Sequence, residues 1–220
     1  EQEPSNLLVA GSIPAGGTNY LRSKLAIVTT KPYSSAHVYV AFIRGINVGG
    51  NSTVPMATLR HVLTETGFSD VTTLLNSGNV VLQSTLNATE VAQGIEGVLR
   101  NNFELSPNAG RTHVLTADQL EAAITSAPEN FGNQPDLFHS DLIFLMGVEA
   151  DEASVAFTPK EGVDTIWLGD GVIYSQRLSA ERTKSRLNRV MQHPIYKSMT
   201  IRTWNTALKL NAAASALTKQ

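Results

Sequence analysis

Val71-Thr72-Thr73-Leu74-Leu75-Asn76, Ser77-Gly78-Asn79 and Val80-Val81-Leu82-Gln83 decide how this chain is read. The two outer pieces carry the valines, threonines and leucines of strands, and the Ser-Gly-Asn between them is a tight turn. The segment therefore reads as a hairpin. On its N-terminal side, residues 55–66 read as a helix. Pro55 sits in the first turn, Leu59, Val62 and Leu63 share a face, and Gly67 stops it. On its C-terminal side, residues 88–103 read as a second helix, with Val91, Ile95, Val98 and Leu99 at helical spacing. Residues 38–46 supply an apolar strand before the first helix, and residues 112–115 a strand after the second. Strand–helix–strand–strand–helix–strand is the order of a ferredoxin-like unit.

A similar order recurs. Residues 116–126 read as a helix, 141–147 as a strand and 151–157 as a short helix. Residues 165–168 and 172–176 form a hairpin over Gly169-Asp170-Gly171, and residues 180–191 and 204–217 read as helices. The expectation is an α+β protein of two tandem ferredoxin-like halves of βαββα type with antiparallel sheets, residues 38–116 and 117–220. The second half ends in a basic closing helix. Residues 130–140, with Gly132, Pro135 and an aromatic at either end, read as the loop between the halves. Residues 1–37 read as a disordered N-terminal extension: residues 21–30 could form a strand, but Gly11, Pro14, Gly16 and Gly17 break any earlier element. Gly11-Ser12-Ile13-Pro14 is also what the T-loop of a transfer-RNA gene would encode if read through. The true start is therefore expected near Val38.

Of the 220 residues, 42% are hydrophobic and 16% charged, enough for a sizeable core. No apolar run reaches the roughly 18 residues of a membrane span. Without cysteine, disulfides, zinc–thiolate sites and thiol nucleophiles are excluded, and a cytoplasmic location is expected. The net charge of −2 is unevenly spread. Residues 177–220 hold nine basic side chains against one acid, Glu181, a net of +8 that leaves −10 for the rest. An acidic body with a basic end favours a local anion site over a nucleic-acid coat.

Two segments carry donor-rich chemistry. Arg44-Gly45-Ile46-Asn47-Val48-Gly49-Gly50 lies between the first strand and the first helix, where glycines let backbone approach an anion and an arginine fork matches its oxygens in pairs. It lacks the Gly-Lys-Ser/Thr ending of a Walker loop. Near the other end stand Arg202, Trp204, Asn205 and Lys209, with Asn205 and Lys209 at i and i+4 on one helix face. With Asn79 of the hairpin turn, the candidate ligand-binding set is Arg44, Asn47, Gly49, Gly50, Asn79, Arg202, Trp204, Asn205 and Lys209. Each has a plainer reading too: Asn47 and the glycines shape a turn, Trp204 is buried between the halves, and Asn79 serves the hairpin. No catalytic residue emerges, because Ser77 has no base placed beside it. His37, His61, His113, His139 and His193 are scattered singly, without metal-ligand spacing, and His139 between Asp136 and Asp141 comes nearest to a site. The acids Asp151, Glu152, Glu161 and Asp164 sit in turns. Neither a cofactor nor a metal is expected, and oligomeric state and catalysis are left open.

Tyr39-Val40-Ala41-Phe42-Ile43-Arg44-Gly45-Ile46-Asn47-Val48-Gly49-Gly50, Val54-Pro55-Met56, Leu75-Asn76-Ser77-Gly78-Asn79-Val80-Val81 and Thr200-Ile201-Arg202-Thr203-Trp204-Asn205-Thr206-Ala207-Leu208-Lys209-Leu210 together resemble the bacterial family known as domain of unknown function 1697, DUF1697. The resemblance spans residues 38–210. It implies a two-part α+β fold and carries no established activity. Relatives usually place lysines after the double glycine, where this chain has Asn51, Ser52 and Thr53, and an asparagine where it has Thr203. Both departures remove a donor.

The expected function is binding of a small phosphorylated or carboxylated ligand where the two donor-rich motifs meet. Two other readings stand beside it. One is nucleic-acid binding through Arg177, Arg182, Lys184, Arg186 and Arg189; the other is a structural or protein-interaction role without a ligand.

Overall fold

A computed structural model describes residues 35–50 and 52–219. Strand β1 (His37–Ile43) is apolar at every position after His37, and all of those side chains are buried. A strand without a polar face must be covered on both sides. On one side, Tyr39, Ala41 and Ile43 meet Leu59 and Leu63 of α1 (Met56–Glu65) and Val91 and Ile95 of α2 (Ala88–Asn102). On the other, Val38, Val40 and Phe42 enter a second core. With β2 (Ser69–Leu74), β3 (Asn79–Ser84) and β4 (Thr112–Thr116), β1 forms an antiparallel sheet of order β2-β3-β1-β4.

The second half repeats this plan. Strands β5 (Phe138–Leu145), β6 (Asp164–Gly169), β7 (Val172–Leu178) and β8 (Met199–Thr203) pair antiparallel in the order β6-β7-β5-β8, with the short α4 (Ala150–Ser154) after β5. The molecule is thus mixed α+β with two four-stranded antiparallel sheets.

Each sheet's last strand runs straight into a helix, β4 into α3 (Ala117–Thr125) and β8 into α5 (Trp204–Thr218). A threonine caps each: Thr116 accepts from the Gln119 N–H and Thr203 from the Thr206 N–H. Such caps contribute about 1 kcal/mol apiece. The two helices pack together between the sheets, where Leu120 and Leu210 join Val40 and Phe42 of one sheet and Leu142 and Phe144 of the other. Phe42 stacks on Phe144 with ring centroids 4.8 Å apart, so the halves share one core.

Two differences from the sequence reading concern the last third of the chain. Residues 180–191 are not a helix. They hold the 3-10 segments Ser179–Glu181 and Leu187–Gln192, followed by a third, Pro194–Ser198. Only Leu187 and Val190 in these segments are buried, too few to anchor a helical stripe. The Asp164 carboxylate also takes the backbone N–H groups of Lys160 and Arg186 at 2.9 and 2.8 Å, which fixes an irregular path. Residues 199–203, read above only as part of a motif, form the edge strand β8. The N-terminal extension, through residue 34, lies outside the described residues. No described helix is long and apolar enough to cross a membrane.

Candidate cleft between the arginine loop and the last strand

Arg44 continues the path of β1 beyond its last residue. Its backbone N–H donates to Arg111 O at 2.8 Å and its carbonyl accepts from the Gly110 N–H at 2.8 Å, so the pairing with the chain before β4 outlasts the strand. The side chain is half-buried. Its guanidinium lies over the Tyr196 ring, 5.0 Å from the centroid, and Nη1 donates to Lys197 O. Arg111 donates to the same carbonyl at 3.0 Å. Burial lowers the pKa of Arg44, and the like charge of Arg111 lowers it further against the opposing effect of Tyr196.

Arg202, on β8, reaches the same place from the other half. Nε donates to Asn79 Oδ1, Nη1 to Thr200 Oγ1 at 3.0 Å and Ile201 O at 2.8 Å, and Nη2 to Ile43 O at 3.3 Å and Ser77 O at 3.1 Å. A guanidinium has five N–H groups, so all are engaged. Its carbon stands 5.2 Å from the Phe42 ring centroid. Burial pulls its pKa down to about 10, helped by the charge of Arg44, and it stays cationic at neutral pH. Among the described residues, none of Arg44, Arg111 and Arg202 pairs with a carboxylate.

Arg44 and Arg202 border a cleft of about 580 Å³. Its walls include Arg44, Asn47, Ser77, Tyr196 and Arg202, and no acidic residue or histidine lines it among the described residues. It offers positive charge that no carboxylate among the described residues pairs, together with hydrogen-bond donors. A volume of this size suits a small molecule. Elsewhere, the described residues contain no group of three or more metal-ligating side chains.

The other candidates fall into three groups. Asn47, at φ +56°, uses its whole amide within the protein. Nδ2 donates to Val54 O and Asn76 O, both at 2.9 Å, and Oδ1 accepts from the Val54 N–H at 2.8 Å. It ties the arginine loop to the hairpin turn. Asn79 is fully buried, donating to Leu74 O and Ser77 Oγ while holding Arg202. Gly49 and Gly50 stand at the exposed loop tip, with nothing within 4 Å of where a Cβ would be. Trp204 is half-buried away from the cleft, edge-on to Phe131 at 5.2 Å and packed on Gly132. Asn205 and Lys209 are exposed on α5 and do not line the cleft. The structure thus joins Arg44 and Arg202, from nearly opposite ends of the chain, and leaves the closing helix outside.

Three contributors carry no local signal in the sequence: Arg111, Tyr196 and the Lys197 carbonyl. The return of the irregular segment brings in Tyr196 and Lys197, while Arg111 arrives through the pairing of Arg44 with the chain before β4.

A family model described as "Protein of unknown function (DUF1697)" matches residues 37–174. The chain belongs to this family. The matched span holds Arg44, Asn47 and the hairpin turn, while β8 and Arg202 lie beyond it. The conserved bacterial protein SP0830 from Streptococcus pneumoniae has a similar structure, with a TM-score of 0.70 at 24% identity, covering 82% of this chain and 99% of that one. That likeness extends the shared fold over both halves. The comparison with curated proteins returns no match.

Proposed function

We propose that this DUF1697 protein is a cytoplasmic binder of a small phosphorylated or carboxylated ligand, held in the cleft between the Arg44 loop and β8. One observation supports this most: Arg44 and Arg202 converge there, and among the described residues no carboxylate neutralises either of them. Buried or half-buried positive charge without a counter-ion is costly, and a bound anion relieves that cost. The two main arginines have different tasks. Arg202 has every N–H engaged and supplies field. Arg44 is held by the Lys197 carbonyl and by Tyr196, and its remaining N–H groups can turn to an oxygen.

The test is a thermal-shift panel of phosphate, pyrophosphate, citrate, nucleotides and a short RNA on the full chain, repeated with Arg44→Gln. A ligand at about 100 times its Kd adds about 2.7 kcal/mol, a shift of several degrees. Stabilisation by a small anion, lost in Arg44→Gln, is expected. Stabilisation by RNA alone, falling steeply with salt, would move the assignment to the basic segment of residues 177–189. No response to any anion would overturn the reading.

A further inference from the structure

The cleft has an apolar lip. Val48 and Leu75, 67% and 56% exposed, both line it. They stand on separate loops that Asn47 clasps together through Asn76 O, the residue next to Leu75. Leu75 also has φ +59°, a left-handed backbone in which glycine or asparagine is at ease and a leucine is strained. More than half exposed, it recovers little of that strain through burial. Strain held at the edge of a binding cleft points to function, and here the function must be served by an apolar surface next to a cationic one.

Resting on the anion-binding reading, we propose that the ligand is amphipathic, a carboxylate or phosphate ester whose anionic head meets Arg44 and whose apolar chain or ring lies on Val48 and Leu75. Charge and apolarity line one cleft together, so a bare inorganic anion would use only part of it. The volume of about 580 Å³ admits both parts of a small molecule.

The experiment is calorimetric titration of the full chain with straight-chain carboxylates from acetate to octanoate and with alkyl phosphates of matching length. The variants are Leu75→Asn, Val48→Ser and Arg44→Gln. Affinity is expected to climb up to about fourfold per added methylene until the lip is covered. Leu75→Asn, which suits the left-handed backbone, and Val48→Ser are expected to flatten that climb while binding the shortest anions as before. Arg44→Gln is expected to weaken every member alike. The two series, compared at equal length, tell which head group is preferred. Affinity independent of length, or a climb unchanged in both lip variants, would overturn the amphipathic ligand while leaving anion binding intact. Absence of binding by any anion would overturn both.

Discussion

The two halves share a strand order, β2-β3-β1-β4 and β6-β7-β5-β8, yet they close their second crossover differently. In the first, β3 reaches β4 through α2, fifteen residues with a reciprocal Asn87–Glu90 cap and a buried face of Val91, Ile95, Val98 and Leu99. In the second, β7 reaches β8 through short 3-10 segments that bury only Leu187 and Val190. A regular helix satisfies its backbone internally. An irregular path must find partners elsewhere, and it finds them in the Asp164 carboxylate and in Arg44 and Arg111 of the other half. The irregular path lets the second half present Tyr196 and the Lys197 carbonyl to Arg44 and Arg111 of the first. The scaffold is regular where it only packs and irregular where the site is built.

The sharpest way to break this comparison is at the turns. Gly78 has φ +73°, and a Cβ there would stand 2.7 Å from Ile43 O, a backbone atom with little room to move. Gly78→Ala is expected to cost about 3 kcal/mol, read as a lower denaturation midpoint at unchanged m-value. Gly132→Ala is also expected to be costly, because Gly132 has φ +73° and its Cβ would stand 2.2 Å from the Trp204 ring, which Phe131 holds edge-on. Next comes the clasp between the halves. Arg202→Met strips the donor from buried Asn79 Oδ1 and from the Ile43 and Ser77 carbonyls, an expected loss of about 2–3 kcal/mol. Arg44→Gln is expected to cost under about 1 kcal/mol in the same denaturation assay. Equal losses would erase the division between a structural and a ligand-facing arginine.

A pH-dependent effect separates two equivalent positions. His113 pairs with Phe42 across the first sheet as Thr200 pairs with Phe144 across the second. The Thr200 hydroxyl accepts from Arg202, whereas His113 Nε2 is buried without a partner. Burial lowers the His113 imidazole from 6.5 to about 4. Because the folded pKa lies below the unfolded one, stability is untouched above pH 6.5 and falls as the pH drops toward 4, where the unfolded chain takes a proton that the folded one refuses. The expected loss is about 2 kcal/mol by pH 4, allowing for partial solvent access. His113→Phe is expected to remove that slope in denaturation midpoints measured from pH 7 to 4, and an unchanged slope would assign acid sensitivity to other groups.

Much of the fold was legible because local patterns carry it. The Ser77-Gly78-Asn79 turn marked the hairpin, and the spacing of Val91, Ile95, Val98 and Leu99 marked α2. The same logic misread residues 180–191, where a charged stretch looked helical and a distant carboxylate decided otherwise. Within the site, Arg44 and Arg202 were legible as donors, whereas Asn47, expected among the ligand-binding residues, spends its whole amide on Val54 and Asn76. The Arg44–Lys197 contact spans 153 positions and leaves no trace in either neighbourhood. The strain of Leu75 is likewise a property of the folded turn and not of its residue type.

The most direct test is an anomalous-scattering crystal structure of the protein soaked in tungstate, a tetrahedral dianion that mimics phosphate. A peak in the cleft with its oxygens about 3 Å from the free nitrogens of Arg44 is expected. Strong tungstate peaks elsewhere, with none beside Arg44, would contradict an anion site between the arginine loop and β8.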